Sequence, residues 1–201
     1  MSDLALSKGF PATTVDEVCK RAGVTKGSFY HHFGGKDDLG TTALQAYFDE
    51  LKATFGAGAW IDEPDPVRRL RAFIAHAADV STGPVMIKGC LLGSFALDLA
   101  ESSPDVRERL SAMFVELRNM VADLIEPAAR ASGARLDAHA LGDQFIAVLE
   151  GSIVLAKAHA DPSATERGIW WFGQCLDLLL ASGEDGRRSA PRRRAPDSRR
   201  R

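Results

Sequence analysis

TVDEVCKRAGVTKGSFYHHFGGK, residues Thr14–Lys36, reads as two short helices separated by a tight turn. Thr14 stands where an N-cap belongs, and Glu17 three residues on completes a Thr-x-x-Glu capping box. A helix over Val15–Ala22 therefore starts with its first amide groups satisfied. Val15, Val18, Cys19 and Ala22 fall at i, i+3, i+4 and i+7 and predict one apolar face that needs a partner. Gly23 supplies the left-handed residue that ends this helix, and Thr25 caps a second helix beginning at Lys26. Val24 and Phe29, on either side of that cap, are expected to form a hydrophobic staple, with Phe29 and Phe33 pointing back onto the first helix. Lys26, Gly27, Ser28, Tyr30, His31 and His32 remain outward. They offer donors, a small residue and aromatic rings on a helix that suits a DNA major groove.

With its flanks, TTVDEVCKRAGVTKGSFYHHFGGKDDL resembles the helix-turn-helix of the TetR family of bacterial transcriptional regulators. The likeness lies in the Thr-rich start, the A-G-V turn, the K-G-S-F-Y-x-H-F helix and the following G-x-K. It implies an all-α homodimer with an N-terminal helix-turn-helix DNA-binding domain and a C-terminal helical ligand-binding and dimerisation domain. The implied partners are a double-stranded DNA operator and a small-molecule effector. By resemblance Lys26, Gly27 and Ser28 face base edges, Tyr30, His32 and Lys36 match phosphate-binding positions, and Thr14, Thr25 and His31 complete the expected DNA-contacting set. The chemistry agrees. Lys36 opens a helix, where a cation opposes the dipole unless an anion lies between, and a DNA phosphate would reconcile the two. Tyr30 offers a hydroxyl on a rigid ring. His31 and His32 are adjacent and so diverge by about 100° around the helix, which argues against a metal site; no metal and no cofactor are expected.

Composition points the same way. No run of eighteen apolar residues occurs among the 201, and the first residues lack a basic region followed by an apolar one, so neither a membrane span nor a signal peptide is expected and the cytoplasm is the expected location. Cys19, Cys90 and Cys175 are too few and scattered for a disulfide framework and are expected to be reduced. The formal charge of −2 hides an asymmetry. Residues 1–36 carry +2, residues 37–185 carry −11 and residues 186–201 carry +7, so only the two ends suit a polyanion. Only eight residues precede Gly9, so the first helix is expected to be about two turns long, with the true start lying upstream.

The rest of the chain reads as helices. Asp37 and Asp38 sit in the first turn of a linking helix that carries Leu44, Tyr47, Phe48, Leu51 and Phe55, followed by a loop over AWIDEPDP. Pro66 opens a helix with Leu70, Phe73, Ile74 and Ala77 inward. Another runs from about Cys90 to Ala100, and a long one from Ser103 to Pro127. Asp137 caps a helix apolar on two sides, and Ser163-Ala164-Thr165-Glu166 is expected to be a capping box opening the last, with Trp171, Cys175 and Leu178 on a second apolar face. Surplus apolar surface on both predicts a four-helix contact between two copies through residues 137–181, with Ile153 and Trp171 inside it. The expected domains are 1–48 and 49–183. Residues 184–201, rich in Arg and Pro, are expected to be a disordered tail.

The expected pocket walls are Phe73, His76, Cys90, Phe95, Met113, Phe114, Leu117 and Phe145. Cys90 follows Lys88 and Gly89 at a helix start, a setting that lowers a thiol pKa. The stretch KGCLLGSFALDLAESSPDVRERL also resembles a subset of the family that includes regulators responding to electrophiles and oxidants. No nucleophile elbow or H-E-x-x-H occurs, so no enzyme is expected. The resulting reading is a ligand-responsive regulator, a repressor released from a pseudo-palindromic operator by a small molecule or electrophile. The alternative is a dimeric small-molecule-binding helical protein that no longer binds DNA well.

Overall fold

The computed structural model describes the backbone of residues 1–188 and side chains through residue 183, and every described element is helical. The elements are α1 (Ser2–Lys8), α2 (Val15–Ala22), α3 (Lys26–His32), α4 (Lys36–Phe55), a 3-10 turn at Ala59–Asp62, α5 (Pro66–Val80), α6 (Leu91–Leu99), α7 (Pro104–Ser132), α8 (Ala138–His159) and α9 (Ser163–Arg188). The loop expected over AWIDEPDP thus contains one helical turn. The Arg-rich stretch 189–201 lies outside the described residues, and α9 continues five residues into the expected tail.

Local chemistry sets most of these boundaries. Thr14 accepts from the Glu17 amide while Glu17 accepts from the Thr14 amide, so the capping box forms. Asp65 caps α5 ahead of Pro66, and Asp137 caps α8. Gly23 ends α2 at φ 68°, a left-handed conformation that costs glycine nothing.

Two expected boundaries are corrected. The long helix passes through Pro127 and ends at Gly133, because Ala128, Ala129 and Ser132 beyond the proline are buried and their packing outweighs the lost amide. Ser163 begins α9 rather than capping it. The Asp161 carboxylate takes both its amide, at 3.1 Å, and its hydroxyl, at 2.6 Å, and so replaces the expected capping box.

α4 is the shared element. Leu44, Tyr47, Phe48, Leu51 and Phe55 are all buried along it, linking the small N-terminal helices to the larger bundle of α5–α9. The short α1 is tied down as well as packed. Ala5 is buried, and Asp3 bridges Arg21 at 2.7 Å and Lys88 at 2.9 Å, joining α1 to α2 and to the segment before α6. α8 is long and apolar enough to cross a membrane by length and composition, but here it packs between α7 and α9 with Phe145, Leu149, Ser152 and Ile153 buried. Ile153 therefore belongs to the core of a single chain, correcting its expected place in an interface.

Pro127 is exposed and breaks the amide ladder of α7 without filling any space in the core. Pro127→Ala is expected to raise stability by about 2 kcal/mol, the helix-interior penalty of proline less the entropy that proline removes from the unfolded chain. The urea unfolding midpoint followed by circular dichroism measures it, and an unchanged or lower midpoint would contradict this account.

Candidate nucleic-acid interface

α2 and α3 meet through one main anchor. Phe29 is buried beneath α3, with Tyr30 edge-on at 5.0 Å and Phe33 at 5.5 Å between ring centroids. Val18 and Cys19 of α2 are buried, whereas Ala22 and Val24 are exposed, so the apolar face is one residue shorter than its periodicity predicts and the expected Val24 staple is not buried. Thr25 Oγ1 accepts from the Ser28 amide at 3.1 Å and sets where α3 begins.

With Phe29 inward, Lys26, Gly27, Ser28, Tyr30, His31 and His32 form one exposed surface, and Thr14 and Thr25 are exposed beside it. The structure therefore brings together the residues expected there. Lys26 reaches Asp16 at 2.6 Å, and that carboxylate holds the ammonium above its ordinary pKa. Both groups are more than 60% exposed, so solvent screens the pair and a nucleic-acid phosphate or base can compete for the lysine. A Cβ on Gly27 would meet only Thr25 Oγ1 at 3.7 Å, an ordinary contact. Nothing inside the protein demands glycine at that position.

Lys36 is placed differently from expectation. Its ammonium donates to the carbonyls of Phe10 at 3.2 Å and Pro11 at 3.1 Å and lies 4.6 Å from the Phe10 ring centroid. The oxygens that offset its position at the start of α4 thus belong to the protein. These bonds tie α4 to the turn after α1, so Lys36 holds the reading head in place.

The expected ligand-binding residues are only partly gathered. Cys90, Leu117 and Phe145 line one small cavity where α4, α6, α7 and α8 meet. Phe73 packs between Trp60 and Phe145 in the core, and His76 hydrogen-bonds the Thr54 carbonyl at 2.9 Å. Phe95 stacks on Phe10 at 4.8 Å, while Met113 is core and Phe114 packs at its edge. None of these five faces the cavity. Cys90 caps α6, yet its thiol pKa is pushed up, first by burial and then by the nearby Glu150 carboxyl, which overturns the expected activation. Cys175 is exposed on α9 rather than buried. Glu150, which sequence reasoning did not single out, lines the same cavity as Cys90. It is the single ionisable residue between Asp143 and Lys157, a signal available from the sequence. Among the described residues no cluster could hold a metal ion.

Comparison with known proteins agrees with this arrangement. Residues 3–40 match the family described as bacterial regulatory proteins, tetR family, and residues 66–170 match the tetracyclin repressor-like C-terminal domain. The HTH-type transcriptional repressor DhaR of Mycobacterium sp. (strain GP1) is 30% identical over 182 residues, covering 90% of this chain and 88% of that protein. The transcriptional regulator AcuR of Cereibacter sphaeroides is 32% identical over 171 residues, covering 83% and 77%. The crystal structure of regulatory protein TetR from Rhodobacter sphaeroides superposes with a TM-score of 0.71 at 29% identity, covering 85% of this chain and 92% of that one.

The cap of α2 has a pH signature. Hydrogen bonds from Lys8 and from the Thr14 hydroxyl and amide hold the Glu17 carboxyl down to about 2, below its unfolded value. The stability it contributes is therefore complete above the ordinary glutamate range of about 4.3 and is lost as pH falls towards 2. Asp161, also held at about 2, contributes a second part of the same acid arm. Glu17→Gln is expected to flatten, without abolishing, the fall in urea midpoint between pH 5 and pH 2.5; an acid arm identical to that of the parent protein would show that this cap carries no linkage.

Proposed function

The chain belongs to the tetR family of bacterial regulatory proteins and is a DNA-binding transcriptional regulator, and we propose that it works as a repressor, binding a pseudo-palindromic operator as a homodimer and leaving it when a small molecule enters the C-terminal bundle. The observation that carries this reading is the exposed surface of α3, with Phe29 as its internal anchor and Lys26, Gly27, Ser28, Tyr30 and the two histidines exposed where DNA could meet them. Lys26 and Ser28 offer donors to base edges in a major groove, and Gly27 lets the backbone approach the groove floor. Tyr30, His32, Thr14 and Thr25 surround them with groups that suit phosphate oxygens and fix the register. Such a role belongs in the cytoplasm, and no reaction is assigned to the chain.

The dimer is supported by apolar surface that one chain leaves uncovered. Trp171, Leu178, Val154 and Leu155 are between 52% and 74% exposed on α8 and α9, beside an apolar groove of about 450 Å³ lined by Val148, Trp171, Cys175 and Leu179. A patch of this kind on consecutive long helices is what a second copy would cover in a four-helix contact. Two copies would set their α3 helices about 34 Å apart, one turn of DNA, so that half-site spacing reports the geometry of the dimer.

Two measurements test the reading. On DNA from the protein's own upstream region, Lys26→Ala is expected to weaken binding about tenfold and relax the sequence preference, whereas Tyr30→Phe weakens specific and random DNA alike. If Lys26→Ala lowers binding equally on both, the lysine does not read bases, and if the parent protein prefers neither DNA, the repressor reading fails.

Placing a charge in the apolar patch should separate the copies. Trp171→Glu is expected to weaken the dimer on the order of 100-fold or more, because closing the interface would bury an unpaired carboxylate. Sedimentation velocity at micromolar concentration reads this directly, and a folded Trp171→Glu protein that stays dimeric would move the interface elsewhere.

A further inference from the structure

Where α4, α7 and α8 meet the N-cap of α6 there is a small space, partly open to solvent, of about 20 Å³, room for roughly one water molecule. Its wall includes Leu51, Phe55, Met120, Phe145, Cys90 and Glu150, and among the described residues no Lys, Arg or His lines it. One carboxyl group therefore faces a space that is otherwise aromatic, aliphatic and sulfur-lined.

Glu150 is held there by shape. Gly93 lies in the first turn of α6, and a Cβ on it would stand 2.3 Å from Glu150 Oε2. The absence of a side chain at residue 93 is what lets the carboxyl lie against α6. Burial raises the Glu150 pKa, and the Cys90 thiol and the more distant Lys157 charge offset that rise in part. Lys157 forms no ion pair with it, nor does any other described residue. The other titratable groups facing this region, Cys90 and the Tyr47 hydroxyl, are themselves pushed up by burial and remain neutral. Glu150 is half-buried, so its carboxylate keeps part of its contact with solvent but still gains from a positive partner brought against it. Phe55 and Phe145, with ring centroids 6.5 Å apart, offer the electron-rich surfaces that also favour a cation. An anionic ligand would meet like charge and no cationic donor.

We propose that this cavity is the effector site and that the effector class is a small, mostly apolar amine, whose ammonium group pairs with Glu150 while its hydrocarbon body lies against Phe55, Phe145 and Met120. This rests on the reading of the chain as a ligand-released repressor and names the chemistry of its signal. An amine larger than water must spread the walls. Two of those walls, Leu51 and Phe55, belong to α4, and Cys90 caps α6. α4 starts directly after the recognition helix, and α6 carries Asp98, whose carboxylate holds the Phe10 amide at 2.9 Å. Occupancy would therefore be felt at both supports of the DNA-reading helices.

The test uses the full-length protein and straight-chain probes from four to six carbons, offered as amines, alcohols and carboxylates of equal length, with binding followed by calorimetry. The amines are expected to bind, the alcohols more weakly and the carboxylates not at all. Glu150→Gln, which keeps the shape and removes the charge, is expected to lower amine affinity about 30-fold while leaving alcohol binding within about twofold. Gly93→Ala, whose methyl displaces the carboxyl, is expected to weaken the amines in the same direction and serves if the Gln variant does not fold. Alcohols or carboxylates binding as tightly as amines, no amine binding at all, or folded variants that keep full amine affinity would each overturn the proposal. Operator binding without any probe is measured alongside. If the protein holds its operator while amines are inert, the assigned class is wrong and the repressor stands; if it holds no operator, the repressor reading has failed whatever the amines do.

Discussion

The turn at Phe10 is where the two halves of the molecule are fastened. Its ring lies 4.8 Å from Phe95 of α6 and so close to Gly40 of α4 that a Cβ there would stand 2.6 Å from it. Its amide is held by Asp98 and its carbonyl by Lys36. One residue is thus gripped by an apolar contact and a polar bond from both α4 and α6. Buried aromatic contact supplies most of the energy, and the two charge-assisted bonds supply direction. Without this fastening, α1–α3 would keep only α4 and the contacts of α1 with the α6 region, such as Asp3 with Lys88, to set their angle, and a helix seven residues long is too short to hold its own orientation.

What could be read from the sequence was what is decided within a few residues. The caps at Thr14, Thr25 and Asp137 each involve a side chain and an amide three positions away, so the pattern carries its own geometry. The same local logic misplaced the end of α7. Proline does interrupt the ladder, but the contacts that keep the helix going past Pro127 are made by Ala128, Ala129 and Ser132 with the bundle core, and no local rule includes them. At the start of α9 the Asp161 carboxylate takes the Ser163 amide that the Glu166 side chain would take in a capping box, and Asp161 lies outside the four residues from which that box was read.

The exposed surface of α3 was legible for the same reason, since seven consecutive residues wound as a helix put Phe29 inside and its neighbours outside. Lys36 was misread because its partners, Phe10 and Pro11, lie 26 and 25 residues earlier in the chain. The cavity was harder still. Phe73, Phe95 and Met113 satisfy the same periodicity as Phe145 and Leu117, and only the packing of α4, α6, α7 and α8 against one another decides which of them face it. Glu150 was visible as the single charge between Asp143 and Lys157, yet that observation alone does not distinguish a carboxylate in water from one held against Gly93.

The small size of the cavity bears on how strongly a signal can act. Taking a two-state switch from nearly all bound to nearly all released requires a ligand to favour one conformation by about 10⁴-fold, roughly 5.5 kcal/mol. A conformation with room for one water gives an effector almost no foothold, so the affinity of that state is low by construction and nearly the whole binding energy counts towards the shift. A charge pair with Glu150 would be formed only in the opened state, and burial of a four- to six-carbon chain adds about 0.8 kcal/mol per methylene. Against this stands the work of parting Leu51 and Phe55 from α7 and α8, where leaving apolar surface badly packed costs energy of similar size. The balance favours a response that grows with chain length until the walls can move no further. The Phe10 fastening then decides whether that movement turns the reading head or is absorbed in the core.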